Sequence, residues 1–211
     1  MYNSRIDKTK EVFLINKLGD FATVRTGLVV ARKKAQLDSD YKIEYEQISL
    51  RYFGTGVKLD KSEKDIFVSS EEIDSKYFTQ EGDVIVRLRS PGSAVYIEKE
   101  DAGLLLHSLL AVIRVKSDTL DAKYLAYYIN AHSTQRILKQ DVKGTAIPML
   151  KTKDLEQLKV TLPPIGKQKE LVKFLELADK ERELLLNLAN EKKQLSQTIL
   201  DTIIQQNKEN K

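Results

Sequence analysis

From residue 12 to about 116 the apolar residues come in short runs, each cut off by Gly, Asp or Ser. This pattern predicts strands at Phe21–Arg25, Ile43–Leu50, Ile66–Ser69, Asp83–Arg89, Ala94–Glu98 and Leu109–Val115, with no long helix between them. The stretch EGDVIVRLRSPGSAVYI reads as a strand, a turn at Pro91–Gly92 and a return strand. Arg87 and Arg89 stand two apart in it and so share a strand face. The period then lengthens. In DAKYLAYYINAHSTQRILKQ the apolar positions approximate helical spacing behind Asp121 as N-cap, which predicts one or two short helices. KGTAIPML is a loop or edge strand, because Pro148 has no N–H to give to a central ladder. TKDLEQLKVTLPPI follows as a turn of helix and a short strand ended by Pro163–Pro164.

From about Lys167 to Gln206 there is neither Gly nor Pro, and good helix formers predominate. At a rise of ~1.5 Å per residue this helix is ~60 Å long, more than a small domain needs for its own core. With Leu171 at heptad position a, the a positions are Leu171, Ala178, Leu185, Lys192, Ile199 and Gln206, and the d positions Phe174, Glu181, Leu188, Leu195 and Thr202. Seven of these eleven are apolar, enough for a pairing seam, while Glu181 and Lys192 weaken it locally or fix its register. Leu175, Leu184 and Ile203 widen the stripe. A second helix packed antiparallel covers such a stripe; so does the chain's own domain if the helix folds back on it. The expected organisation is a mixed α+β domain over residues 1–162 followed by a coiled-coil helix over 163–211.

Composition narrows the class. Across 211 residues, hydrophobic residues make up 41% and charged residues 31%, and no apolar run reaches the ~20 residues of a membrane span. With no secretory-type apolar segment at the start, the expected location is cytoplasmic. Zero cysteines exclude disulfides and thiolate metal sites. The net charge of +4 says little, but its distribution says more. Residues 1–34 hold eight Lys/Arg against three Asp/Glu, and residues 136–153 hold five against one. Residues 60–83 invert this, with eight acids against three lysines, an acidic surface that a polyanion should avoid.

Catalytic patterns are incomplete. His107 and His132 have no carboxylates at metal-ligand spacing, so no metal site is expected. FGTG at Phe53–Gly56 lacks the third glycine of a cofactor loop and reads as a β-turn. LPPI at Leu162–Ile165 lacks the polar first and aromatic last residues with which amino-methyltransferases hold a target base. Neither a Walker loop nor a Gly-x-Ser-x-Gly elbow occurs. No catalytic residue is assigned.

In order along the chain, INKLGDFATVRTG, EGDVIVRLRSPGSAVYI, TLDAKYLAYYIN, KGTAIPMLKTKDLEQLKVTLPPIGKQKELVKFL and the long helix resemble the specificity subunit of type I restriction-modification systems. The junction is the most telling part: Gly144–Thr145, Lys153–Leu158, Leu162–Ile165 and Gln168 follow the family's Gly-Thr loop, exit segment, Pro-Pro strand end and helix-opening Gln. Lys167 departs from the family's usual Glu. The resemblance implies a non-catalytic subunit that reads one half of a split DNA site and scaffolds methyltransferase subunits, with restriction subunits joining them. It implies no cofactor in this chain, S-adenosylmethionine belonging to the methyltransferase. Family members typically carry two recognition domains and two spacer helices; this chain has one of each, a half-length form that a homodimer would complete.

The resemblance also assigns roles to the basic clusters. Candidate DNA contacts are Arg32, Lys33 and Lys34, then Arg51, then Arg87, Arg89 and Ser90, then Lys143, Thr145, Lys151 and Lys153. Lysines and arginines on phosphates position a domain, whereas Arg reads guanine bidentately, so Arg87 and Arg89 are favoured as base readers. Candidate dimer contacts are Leu171, Phe174, Ala178, Leu185, Leu188, Leu195 and Ile199. A coiled-coil adaptor that never touches DNA satisfies the same hydrophobic pattern, and salt-sensitive DNA binding separates the two.

Overall fold

The computed structural model describes residues 14–36, 41–54, 56–61, 64–89, 92–140 and 149–209. Eight strands and four helices follow one another in these segments: β1 Leu14–Lys17, β2 Ala22–Thr26, β3 Ile43–Glu46, β4 Ile66–Ser69, β5 Val84–Arg87, β6 Ala94–Tyr96, β7 Leu110–Val115, α1 Ala122–Asn130, α2 His132–Gln140, α3 Thr152–Gln157, β8 Lys159–Leu162 and α4 Ile165–Glu209. The fold is α+β, with a strand-rich unit followed by a long C-terminal helix, as the hydrophobic pattern implies. The chain divides into two compact units, Met1–Glu170 and Leu171–Lys211.

The centre of the first unit is an antiparallel sheet in the order β2-β7-β5-β6. Val84, Ile85 and Val86 of β5 are all buried, so the sheet is covered on both faces at its middle. Ile85, Val95, Leu110 and Val112 contribute to a cluster completed by Ile48, Tyr52, Ile97, Leu104 and Leu106. Helix α1 packs against β5 and β6 and buries Leu125, Ala126 and Ile129. Asp121 caps it, its carboxylate accepting from the Tyr124 N–H at 2.9 Å. At the helix's other end Asn130 treats β6 as a strand neighbour would. Its amide donates to the Ala94 carbonyl and its carbonyl accepts from the Ala94 N–H, both at 2.8 Å, which satisfies a sheet edge without another strand.

Two smaller sheets flank the centre. β3 pairs with β4, and β1 pairs with β8 in a ladder running from Leu14↔Leu162 to Lys17↔Lys159. The second ladder joins the two ends of the first unit. Tyrosines of α1 complete it: the Tyr124 hydroxyl donates to the Thr161 carbonyl at 2.8 Å, and the Tyr128 hydroxyl to that of Lys159 at 3.1 Å. Burial holds the Tyr124 hydroxyl pKa up at about 12, so it remains a donor at any physiological pH.

The strand Ile66–Ser69 and the α1 cap agree with the sequence reading. The run from Ile43 stops as a strand at Glu46 because Ser49 caps a 3-10 helical turn over Leu50–Tyr52, its Oγ accepting from the Arg51 N–H. Gly27, within the first motif, lies where a Cβ would stand 2.4 Å from the carbonyl oxygens of Leu106 and His107, so two backbones meet there that no side chain could separate. No helix of the described residues is long and apolar enough to cross a membrane.

Candidate functional site

Two of the basic clusters that lie far apart in sequence come together at the end of β5. The Leu150 N–H donates to the Leu88 carbonyl at 2.8 Å, and Arg89 bridges Met149 in antiparallel fashion. Arg87 and Arg89 are thereby joined to the segment that opens α3, where Lys151 and Lys153 are both exposed. Asp154 fixes the start of α3, its carboxylate accepting from the Lys151 N–H at 2.8 Å. Leu88, between the two arginines and just past the end of β5, is buried.

The two arginines nevertheless have different surroundings. Arg89 is exposed. Arg87 is half-buried, with its guanidinium carbon 5.8 Å from the centroid of the Phe53 ring. Among the described residues, its Nε is buried without a hydrogen-bond partner. An aromatic face attracts the guanidinium, which limits its rotamers. A buried cationic N–H left unmet is costly. Phe53 does not stand out in the sequence, since its ring meets Arg87 only through the tertiary fold. Arg51, two residues before it, is exposed, and its Nε donates to the Ser49 Oγ at 3.4 Å. Phe53, the first residue of FGTG, forms an antiparallel bridge with Leu59, and Thr55 lies outside the described residues.

The first basic loop has a different partner from the one its sequence implies. Val30–Lys33 forms a 3-10 helical turn, on which Arg32 is exposed. Its backbone is stitched to the end of β4: Ala35 N–H to the Val68 carbonyl at 3.0 Å, and Ser70 N–H to the Lys33 carbonyl at 2.9 Å. Lys34 bridges Ser69 through the backbone, and the Lys33 ammonium is paired with Glu71. The acidic 60–83 stretch therefore comes alongside this loop and neutralises one of its lysines, and does not form a wholly separate face. Asp83, in the same stretch, is consumed by structure. Its carboxylate accepts from Arg114 Nε at 2.7 Å and from the second guanidinium nitrogen at 2.8 Å. Ser90, Lys143 and Thr145 lie outside the described residues.

The histidines have ordinary surroundings. His107 Nδ1 accepts from the Leu109 N–H at 3.3 Å, and burial lowers its pKa, so the neutral ring is the folded form. His132 is exposed at the start of α2.

Gln168 lies at the root of α4 and is wholly buried. Its Oε1 accepts from the Asp121 N–H at 2.9 Å, while Nε2 donates to the carbonyls of Thr119 at 2.8 Å and Pro163 at 2.7 Å. One amide thus ties the turn before α1 to the start of the long helix. Gln168→Leu has about the same volume but no polar atoms, and it should lower the unfolding free energy by about 2 kcal/mol through the groups it leaves unpaired. Denaturant titration checks this, and a change within ~0.5 kcal/mol, as at an unconstrained surface site, would contradict it.

The arrangement is that of a DNA specificity module continued by a helix. Residues 11–197 match the type I restriction modification DNA specificity domain, and the chain belongs to that family. A curated relative, the type I restriction enzyme MjaVIII specificity subunit of Methanocaldococcus jannaschii, is 25% identical over 176 residues, covering 83% of this chain and 37% of its own. Among solved structures, the HsdS subunit from Thermoanaerobacter tengcongensis superposes with a TM-score of 0.53 at 19% identity, over 85% of this chain and 40% of that one. The type I restriction-modification S subunit from M. genitalium gives 0.55 at 15%, over 85% and 42%. A chain from a type I R-M system solved to explain complex assembly and conformational transition gives 0.57 at 18%, over 87% and 42%. The present chain thus spans about two fifths of the length of these relatives.

Proposed function

We propose that this chain is a non-catalytic DNA-reading subunit of a type I restriction-modification complex, acting in the cytoplasm on one half of a bipartite site. The observation that carries this reading is the end of β5, where Arg87 lies over Phe53 with a buried N–H unmet, beside Arg89 and the lysines that open α3. Arg87 is the base reader, because its guanidinium offers a fork that matches the acceptor pair of guanine. Arg89, Lys151 and Lys153 supply phosphate contacts, with Arg32, Lys34 and Arg51 as further cations, and Ser90, Lys143 and Thr145 as further candidates from the sequence. Lys33, already paired with Glu71, contributes less than its neighbours.

The uncovered apolar stripe of α4 supports the second half of the proposal. Phe174, Leu185, Leu188, Leu195 and Ile199 are all exposed in the single chain. Two copies pair through α4, the helices antiparallel, so that both recognition units read the same half-site in inverted orientation and the target is an interrupted palindrome. Methyltransferase subunits dock on this scaffold and bring S-adenosylmethionine, and restriction subunits join the assembly. Methyl transfer therefore requires the methyltransferase and does not occur on the purified chain.

DNA binding by the chain with its methyltransferase tests the reading. Affinity should fall steeply with salt, as it does when cations displace condensed counterions. Arg87→Ala should cost about 1–3 kcal/mol of discrimination between cognate and mutated half-sites. Lys151→Ala should instead weaken binding evenly across sequences and flatten the salt slope. Absence of binding at low salt would refute the proposal and favour a coiled-coil adaptor.

A further inference from the structure

Within the seam of α4 only two positions in the described stretch carry charge, Glu181 at d and Lys192 at a. Their neighbours outside the seam are paired along the helix: Arg182 donates to Asp179 at 2.8 Å and Lys180 to Glu183 at 3.1 Å. Among the described residues, Glu181 and Lys192 form no ion pair within their own chain, and both are exposed. An antiparallel helix pair sets a positions against d positions of the partner, and the residue numbers of facing positions then sum to a constant.

We infer that a second copy of this chain docks on α4 in one antiparallel register, in which Glu181 of each helix faces Lys192 of the other. The inference rests on the homodimer reading above and specifies its geometry. The same register sets Leu185 against Leu188, Ala178 against Leu195 and Phe174 against Ile199 of the second copy, so no apolar seam residue between 174 and 199 faces a charge. The two-fold axis passes between residues 186 and 187.

Every other arrangement of the same heptads wastes these charges. Slipping one heptad in one direction puts Glu181 against Leu185 and Lys192 against Phe174; slipping in the other puts Glu181 against Ile199 and Lys192 against Leu188. A parallel, in-register pair sets Glu181 against Glu181 and Lys192 against Lys192. A charge removed from water opposite an apolar side chain or a like charge is strongly disfavoured, so the pair acts by excluding these alternatives more than by adding affinity. The register is also a ruler. It sets the two Leu171 positions ~47 Å apart along the seam, and a one-heptad slip changes that spacing by ~10 Å. The gap between half-sites is tied to the same two residues.

Sedimentation equilibrium on the full chain tests this with E181K and K192E, alone and mixed. Each variant alone brings two like-charged pairs together and should raise the dimer dissociation constant by at least about tenfold. An equimolar mixture of the two restores both attractive pairs in the antiparallel heterodimer and should return to within about threefold of wild type, as should the double variant E181K/K192E; a parallel pair, whose facing charges are already alike in the wild type, would not be weakened by either single variant. Circular dichroism confirms that all forms keep their helix. A dimeric wild type whose single variants are unaffected, or whose mixture stays dissociated, overturns this register while leaving the homodimer intact. A monomeric wild type overturns both, and a helix that pairs only with another protein or folds back on its own domain gives that result.

Discussion

At micromolar concentration the wild-type chain is expected to sediment as a dimer and the Leu188→Glu variant as a monomer. Leu188 is 47% exposed in the single chain and is the second residue past the proposed two-fold axis, facing Leu185, itself 60% exposed, of the second copy. Burying a leucine contributes about 1.5–3 kcal/mol, and each dimer contains the Leu188 contact twice. The substitution removes that burial and adds two carboxylates that would have to leave water against leucine. A combined loss of about 4 kcal/mol corresponds to a roughly thousandfold weaker dimer. Glutamate is a good helix former, so α4 should persist, and the substitution lies in the second compact unit, so the unfolding transition of the first should be unchanged. Dimerisation of Leu188→Glu with wild-type affinity would remove the seam from the interface.

The second large effect is expected in the recognition unit. Asp83→Ala should lower its unfolding free energy by about 3 kcal/mol in a denaturant titration. The Asp83 side chain is 1% exposed and Arg114 only 30%, and their bidentate contact fastens the entry to β5 to the C-terminal end of β7. The same carboxylate accepts from the Gln80 N–H at 2.8 Å, shaping the turn that ends at Gly82. Removing the carboxylate leaves a cation facing a dry site and an N–H without its acceptor. Partial exposure of Arg114 lets water reach it, which places the effect at the lower end of the ~3–5 kcal/mol typical of broken buried pairs. Asp83→Asn, which keeps one acceptor, should fall between Asp83→Ala and wild type. A loss within ~0.5 kcal/mol, the usual range for exposed substitutions, would show that the pair contributes little. Since β5 carries Arg87 at its end, Asp83→Ala should also weaken DNA discrimination at temperatures where the unit remains folded.

Much of this protein is local in origin and therefore legible in its sequence. Ile66–Ser69 is a strand because β-type residues are bounded by turn formers, and α1 begins at Ala122 because Asp121 can cap it. The long helix follows from some forty residues without Gly or Pro, and its seam from a seven-residue repeat. The order of motifs around Gln168 places the chain in its family even though each motif is short. These features depend on residues within a few turns of one another, which is the range over which propensity, capping and periodicity act.

Contacts between distant segments are set by the tertiary structure alone. β1 is a strand because β8, from the other end of the unit, supplies its ladder; Leu-Ile-Asn-Lys has too little pattern to announce itself. The acidic 60–83 stretch looks like a repulsive face in sequence, yet folding spends Asp83 on Arg114 and brings Glu71 to Lys33. Likewise, nothing local marks Phe53 as the ring beneath Arg87, or joins Arg89 to Met149. The sequence by itself determined most of the elements, the long helix and the family, because those are encoded in short-range chemistry. Only the tertiary structure decided which charges are already satisfied and which N–H remains unmet, because burial and partnership are properties of the packed chain and not of any segment of it.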